Sequence, residues 1–345
     1  MAGRYIFGNS NDFSEFIDSI SPKEKIGIVT HIDLDGIASG IFLQKIIESK
    51  GLKTDFIEFF DYNLKSINKI LEKSFHVLFF TDWNIDNFPN ELDILREEGR
   101  VFVIDHHPPN PSLANKQGII KTESNYCSSQ CLFDIAKERN YFDAKELEWL
   151  VCSSMIMDYT FNSEENIKFL KSIYPKLSEK DIWASEPAII GNKIANALLY
   201  YKPDCKKVYE LVLKKDLISL DGISDEIEKE IEDGEKRYLK EAEYFPSQNL
   251  YFGYLTTKHK MASPIVTRLS GRFDKTLIMV SDSEEKGIVK FSARNQTGKV
   301  DLNQVLKKCI KGFKDATAGG HIRASGGSFP KNYINEFKER LLKEL

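Results

Sequence analysis

Four mostly apolar runs in the first third of the chain, Lys25–Thr30, Asp55–Asp61, His76–Asp82 and Arg100–His107, each predict a strand. Between them apolar residues recur at spacings of three and four, which predicts helices, as over Gly36–Lys50. Runs that are apolar throughout belong to strands covered on both faces, and strands alternating with helices imply parallel βαβ units. Further along, the period is mostly helical over 142–152 and 178–218, with Pro175, Pro187 and Pro203 as breakers, and again over the charged stretch 225–243. Tyr244-Phe245-Pro246 marks a domain boundary. Past it, Leu250–Thr257, Thr276–Ser281 and Gly287–Asn295 predict strands, with a helix over Ser263–Arg272. The expected fold is therefore α/β: residues 1–243 form a parallel-sheet α/β/α domain ending in a helical connector (225–243), and residues 248–345 form a smaller mixed α/β domain.

Composition narrows this picture. The apolar runs, such as Val77–Phe80 and Leu277–Val280, are far shorter than the roughly 20 residues a membrane helix needs, so no membrane partner is expected. Met1-Ala2-Gly3-Arg4-Tyr5 lacks an apolar signal core, and the five cysteines (Cys127, Cys131, Cys152, Cys205, Cys309) are odd in number with no C-x-x-C pair, which reads as a reducing, cytoplasmic setting. Cys127 and Cys131, four apart, read as small buried helix residues. The net charge of −4 hides an asymmetry: residues 246–345 hold 18 Lys+Arg against 9 Asp+Glu, a net +9 that leaves −13 on the remainder. A basic part of this size is a plausible counter-surface for a polyanion such as a nucleic acid or nucleotide.

In parallel sheets of this kind, ligands gather outside the carboxyl ends of the strands. The reactive residues fall there. The first run leads into Thr30-His31-Ile32-Asp33-Leu34-Asp35-Gly36, where His31, Asp33 and Asp35 alternate and would share a side in extended backbone. Gly36 permits a tight turn into the helix. Asp82 ends the third run, Asp105-His106-His107 the fourth, and Asp158 closes the apolar segment Ser154–Met157. A lone strand-end Asp is usually a helix cap, but three ionisable groups at one strand end would repel or stay unsatisfied unless something binds them. Several carboxylates and imidazoles without a thiolate favour Mn²⁺ or Mg²⁺, with Zn²⁺ and Co²⁺ next. So many anionic ligands exceed the need of one ion and suit a pair sharing a carboxylate, the arrangement used for metal-assisted phosphoester hydrolysis.

The series His31-x-Asp33-x-Asp35-Gly36, Asp82, Asp105-His106-His107 and Asp158 resembles the four motifs of the DHH phosphoesterase family. Near the C-terminus, Ala318-Gly319-Gly320-His321 looks like the glycine-histidine signature of its DHHA1 domain. The resemblance implies a DHH catalytic domain and a DHHA1 substrate-binding domain. It implies one ion at His31, Asp33 and Asp82, a second at Asp35, Asp82, His106 and Asp158, and contact between His107 and the scissile phosphate, with the leaving oxygen to protonate. Asp105 is expected to fix the His106 tautomer. Arg294, a fork-shaped donor on a strand face shared with Ser292, and a glycine-rich loop carrying Gly319, Gly320 and His321 are expected to grip the substrate's nucleotide or terminal phosphate. After Asp158 the chain reads Tyr159-Thr160-Phe161 where nanoRNase-type members have Asp-Thr-Gly, so the resemblance runs nearer to RecJ-like exonucleases. The implied activity is a Mn²⁺-dependent phosphodiesterase acting on single-stranded nucleic acid ends or short oligonucleotides. Its rivals are a hydrolase of linear dinucleotides or 3′,5′-bisphosphonucleotides and a non-catalytic scaffold among replication or repair proteins. A second copy of the chain is a further partner to consider.

Overall fold

The computed structural model describes residues 4–62, 64–113 and 117–345, so Met1–Gly3 of the N-terminal reading lie outside the described residues. Contacts divide the chain into two compact units, residues 1–224 and 225–345.

The first unit is built on strands β1 (Tyr5–Phe7), β2 (Ile26–Thr30), β3 (Thr54–Phe59), β4 (Val77–Thr81), β5 (Arg100–Asp105) and β6 (Ile119–Thr122). They line up as β1-β6-β5-β4-β2-β3, all parallel except β1, which runs antiparallel to β6. Every residue of β2 and β4 is buried, because each face carries its own apolar layer. Ile26, Ile28, Val77, Phe79, Phe102 and Ile104 point into one core with the helices Leu34–Ser49 and Glu148–Met157, whereas Val29, Leu78, Phe80, Val101 and Val103 point into the other with Leu92 and Leu95. The chain leaves β2 toward β3 on one side and returns as β4 on the other. This reversal opens a crevice at the carboxyl ends of β2 and β4.

The second unit is a sheet ordered β11-β12-β10-β9-β8-β7, made of β7 (Glu243–Phe245), β8 (Leu250–Tyr254), β9 (Thr276–Asp282), β10 (Ile288–Arg294), β11 (Thr317–Gly320) and β12 (Ala324–Pro330). Its core gathers Phe252, Ile278, Phe291, Leu306, Phe329 and Phe337. The division falls before the helix Asp221–Glu241 is complete, about 20 residues ahead of the boundary expected from the sequence. That helix does not merely connect: it buries Ile227, Ile231, Gly234 and Tyr238, and the Tyr238 hydroxyl donates to the carbonyls of Tyr251 and Ile278. The glycine-rich segment is also different from the expected loop. Thr317–Gly320 pairs in register with Ala324–Pro330 as a hairpin whose turn is His321–Arg323. Three of its glycines are needed for close packing: a Cβ on Gly320 or Gly326 would meet neighbouring backbone, and one on Gly327 would strike the Phe291 ring and the Thr317 carbonyl. No helix among the described residues is long and apolar enough to cross a membrane, and all five cysteines are buried and free.

Candidate metal centre

His31, Asp33 and Asp35 converge by a route the alternation does not show. Extended backbone ends at Asp33, whose side chain caps the helix Leu34–Ser49 by accepting from Gly36 N–H at 3.0 Å, and Asp35 is already in the first helical turn. The turn is tight enough that a Cβ on Gly36 would collide with the His31 backbone, so the glycine supplies space and not an unusual φ. Asp35 is held in place: it accepts from the N–H groups of Ser128 (2.9 Å) and Ser129 (3.1 Å) and from the Ser154 hydroxyl (2.7 Å). The first two open the helix Ser128–Arg139, where a carboxylate is favoured by the exposed N–H groups.

Asp82 stands at the middle of the crevice. Its φ of 51° is a left-handed value that few residues other than glycine and asparagine take, and it turns the carboxylate inward directly after β4. Nδ1 of His31 lies 3.8 Å from one of its oxygens, while Nε2 of His106 (3.4 Å) and Nδ1 of His107 (3.9 Å) lie near the other. Nδ1 of His31 also approaches Asp33 to 2.8 Å, and Nε2 of His106 lies 3.4 Å from Asp158. Asp158 arrives from the C-terminal end of the helix Glu148–Met157, not from a strand. Three sets, His31/Asp33/Asp82, Asp35/His106/Asp158 and Asp82/His106/His107, each offer ligand atoms within 4.8 Å of one another.

Whether these residues fit a metal can be judged from the atoms left over. Both carboxylate oxygens of Asp82, Nε2 of His106 and Oδ2 of Asp158 are buried without a hydrogen-bond partner, while Nδ1 of His31 has the Asp33 carboxylate beside it. Buried polar atoms are normally paired, at a cost of about 1–3 kcal/mol each when they are not. Four such atoms gathered in sets of ligand atoms within 4.8 Å of one another therefore fit a cation, whereas a packing role would leave them uncompensated.

The second His departs from the expected arrangement. Asp105 does not hold His106; its Oδ1 bonds Nδ1 of His107 at 2.7 Å, and His106 instead uses Nδ1 on the Ser124 carbonyl at 3.2 Å. Strand alternation explains the switch, because a side chain two residues along returns to the same side while its immediate neighbour points away. Beneath this pair lies Lys121, fully buried, with its ammonium on Asp105, on Asp86 (2.8 Å), on Asn84 and on the His107 carbonyl. Tyr62 closes the other side: its ring stacks on His31 (4.1 Å between centroids) and its hydroxyl donates to the Asp82 carbonyl, 3.3 Å from Nε2 of His107.

The electrostatics follow. Burial and the neighbouring carboxylates Asp33, Asp35 and Asp158 raise Asp82 well above the usual carboxylate range. Burial, with Asp35 and Asp33, raises Asp158 to about 8. For His31, burial alone would lower the value, but Asp33 and Asp61 outweigh it and raise it to about 9. Asp105 stays well below the usual range despite its burial, held there by Lys121 and His107. Protons and a divalent cation thus compete for the same atoms. Mn²⁺ affinity is expected to fall as pH drops below about 9, where His31 keeps its proton, and more steeply below about 8, where Asp158 does so too. Titration calorimetry in buffers of differing ionisation enthalpy should find about one proton or more released per chain at pH 7. An affinity flat between pH 6 and 8.5 would contradict this assignment of charges.

In the second unit, Arg294 ends β10 with its guanidinium on the hydroxyls of Thr267 (2.9 Å), Ser263 (2.9 Å) and Ser292 (3.2 Å), so Arg294 and Ser292 are joined directly. Arg294 pairs in register with Ala324, which places the His321–Arg323 turn at the same end of the sheet. Gly319 and Gly320 lie one strand further out, paired with Gly326 and Ser325. Residues the sequence does not single out are Tyr62, Lys121, Asp86, Ser128, Ser129 and Ser154; none sits in a ligand-like spacing, and only their three-dimensional convergence identifies them.

The family model for the DHH family, N-terminal domain, matches residues 25–152, and that for the DHHA1 domain matches residues 248–345. The single-stranded-DNA-specific exonuclease RecJ of Bacillus subtilis is 24% identical over 94% of this chain, which spans only 46% of that relative's length. Among solved structures, RecJ of Thermus thermophilus in complex with Mn²⁺ superposes with a TM-score of 0.73 at 15% identity, covering 96% of this chain and 53% of that one. A manganese-bound exonuclease RecJ gives 0.68 at 15% identity, covering 96% and 92%.

Proposed function

The chain belongs to the DHH phosphoesterase family and carries a DHHA1 domain, and from that premise we propose that it is a divalent-metal-dependent phosphodiesterase trimming single-stranded nucleic acid ends or short oligonucleotides. The observation that carries this reading is the set of four unpartnered atoms on Asp82, His106 and Asp158. His31, Asp33 and Asp82 would hold one ion, and Asp35, Asp82, His106 and Asp158 the other, with Asp82 shared. Manganese is the first candidate, since it is bound by the similar RecJ structures. Bound there, the pair would supply Lewis acidity to the scissile phosphate and its attacking water.

The remaining work falls to the chain. His107 has Nδ1 committed to Asp105, which leaves Nε2, beside the Tyr62 hydroxyl, to give a proton to the leaving oxygen. Asp105 keeps that ring in one orientation, and Lys121 keeps Asp105 ionised. Arg294, Ser292, Gly319, Gly320 and His321 take the part of the substrate away from the scissile bond, where backbone N–H groups and a fork donor suit phosphate. A full set of ligand side chains weighs against the scaffold reading.

Strands of several lengths carrying an end label, incubated with Mn²⁺, should give a ladder of products shortened one nucleotide at a time. Cleavage confined to dinucleotides or bisphosphonucleotides would replace this reading with that of a small-nucleotide hydrolase, and no cleavage at all would remove the enzyme.

A further inference from the structure

Tyr159 and Phe161, directly after Asp158, and Trp183 further along the chain form a group of three aromatic side chains that the metal centre does not use. Tyr159 is 47% exposed and Trp183 39% exposed, and their rings stand 5.2 Å apart, with Phe161 at 6.2 Å from the first and edge-on at 6.1 Å to the second. Every other large aromatic of this unit among the described residues is buried or half-buried. A residue that merely filled space would join them, because each such ring left in water forgoes its burial energy.

The mount is rigid. Tyr159 takes a left-handed backbone (φ 57°, ψ 20°), a conformation that costs an aromatic residue energy and persists only where the surroundings impose it. They do so here. Tyr159 N–H donates to the Ile156 carbonyl (3.1 Å), its own carbonyl accepts from Asn162 (2.8 Å), and the Thr160 hydroxyl donates to the Met155 carbonyl (3.1 Å). Asn166, fully buried, ties the Thr160 carbonyl to that of Asn125 at 2.6 Å each. Phe161 packs into the main core and anchors the other two rings. The trio is thus fixed and half-open, and its first member follows a metal-site carboxylate by one residue.

We propose that Tyr159, Phe161 and Trp183 form a stacking platform for the nucleobase attached to the scissile phosphate. This rests on the phosphodiesterase reading, which places that phosphate at Asp158. A base is joined to its phosphate through one sugar, so a phosphate held at the cluster leaves its base within reach of a neighbouring surface. Stacking on aromatic rings tolerates any base, because all have a π-face, and it needs the base unpaired. The platform therefore selects base-bearing, single-stranded ends without selecting sequence.

Trp183 reports on this directly, since the other two tryptophans, Trp83 and Trp149, are buried. The His107→Gln protein, which keeps every proposed metal ligand but lacks the proton donor, is titrated in the presence of Mn²⁺ with pentathymidylate and with an abasic pentamer of the same backbone while tryptophan emission is followed. The expected result is saturable quenching by pentathymidylate and binding at least about 10-fold weaker by the abasic strand. Tyr159→Leu should weaken pentathymidylate binding at least about 5-fold, and Tyr159→Phe should restore it, with thermal melts confirming that both variants fold. Equal binding of the two strands, or no quenching by either, overturns the platform. Turnover by the unaltered chain is scored separately. Base-dependent quenching without turnover would keep the platform and remove the enzyme, whereas equal turnover of base-bearing and abasic strands would keep the enzyme and remove the platform.

Discussion

Asp82→Asn is expected to abolish hydrolysis, by at least about 10³-fold in kcat/KM, while raising the stability of the metal-free protein. The first effect follows because Asp82 is common to both proposed ion sites, and loss of a shared ligand should exceed the roughly 10–100-fold cost of disturbing a residue that only supports a ligand. The second follows from the charge it removes. Asp82 is held well above the usual carboxylate range by burial and by Asp33, Asp35 and Asp158, so ionising it in the folded chain costs energy that ionising it in the unfolded chain does not. A carboxyl raised in this way is harmless when both states are protonated, and it destabilises progressively as pH rises above about 4, where the unfolded chain begins to ionise. The neutral amide escapes that penalty. Above about pH 4 the metal-free variant should therefore outlast the wild type by an amount growing with pH to about 1–3 kcal/mol. Misfolding lowers activity and stability together, so the opposed pair is diagnostic; retained activity in the variant would mean that the metal centre has been assigned wrongly. Denaturant melts with excess Mn²⁺ should reverse the stability order, because only the wild type gains from binding.

How much of this is legible in the sequence depends on whether a residue's role is set by its neighbours in the chain or by distant ones. β2, β4 and β5 are readable because a strand buried on both faces must be apolar throughout, and the reactive residues at their ends are readable because nothing in packing explains them. Adjacency in sequence assigns Asp105 to the wrong imidazole: it suggests His106, but the pleat returns Asp105 to the side of His107. β6 escapes a reading by pattern altogether. Ile119-Ile120-Lys121-Thr122 has a lysine where a covered strand should have an apolar residue, and only the carboxylates of Asp86 and Asp105, 35 and 16 positions away, make that lysine tolerable. The glycine-rich segment reads as a loop because glycine is a poor strand former, yet Gly326 and Gly327 are there to let β12 lie flat against Phe291. The helix Asp221–Glu241 looks like a solvated connector because its charges outnumber its apolar residues, and its narrow buried stripe is enough to bind it to the second unit.

Lys121→Met is expected to destabilise the protein by about 3–5 kcal/mol, the cost of breaking a buried ion pair from one side. Methionine matches the lysine stem in length and is apolar, so the change does not fail for lack of packing. It fails because Asp86 and Asp105, both buried, lose the ammonium between them and are left as uncompensated charges or must take up protons. Lys121→Arg should not restore stability, since the guanidinium is larger and planar and the side chain it replaces has no exposed surface to spare. Lys121→Met with Asp86→Asn should recover part of the loss, because the second change removes one of the stranded charges. Urea melts of the wild type and the three variants decide this; a loss under about 1 kcal/mol for the first variant would show that the pair is neutral in effect. The same variant should also lose kcat more than it loses Mn²⁺ affinity. Lys121 reaches the centre through Asp105 and His107, which orient a proton donor, and makes no contact with His31, Asp33, Asp35, His106 or Asp158 among its hydrogen bonds and ion pairs.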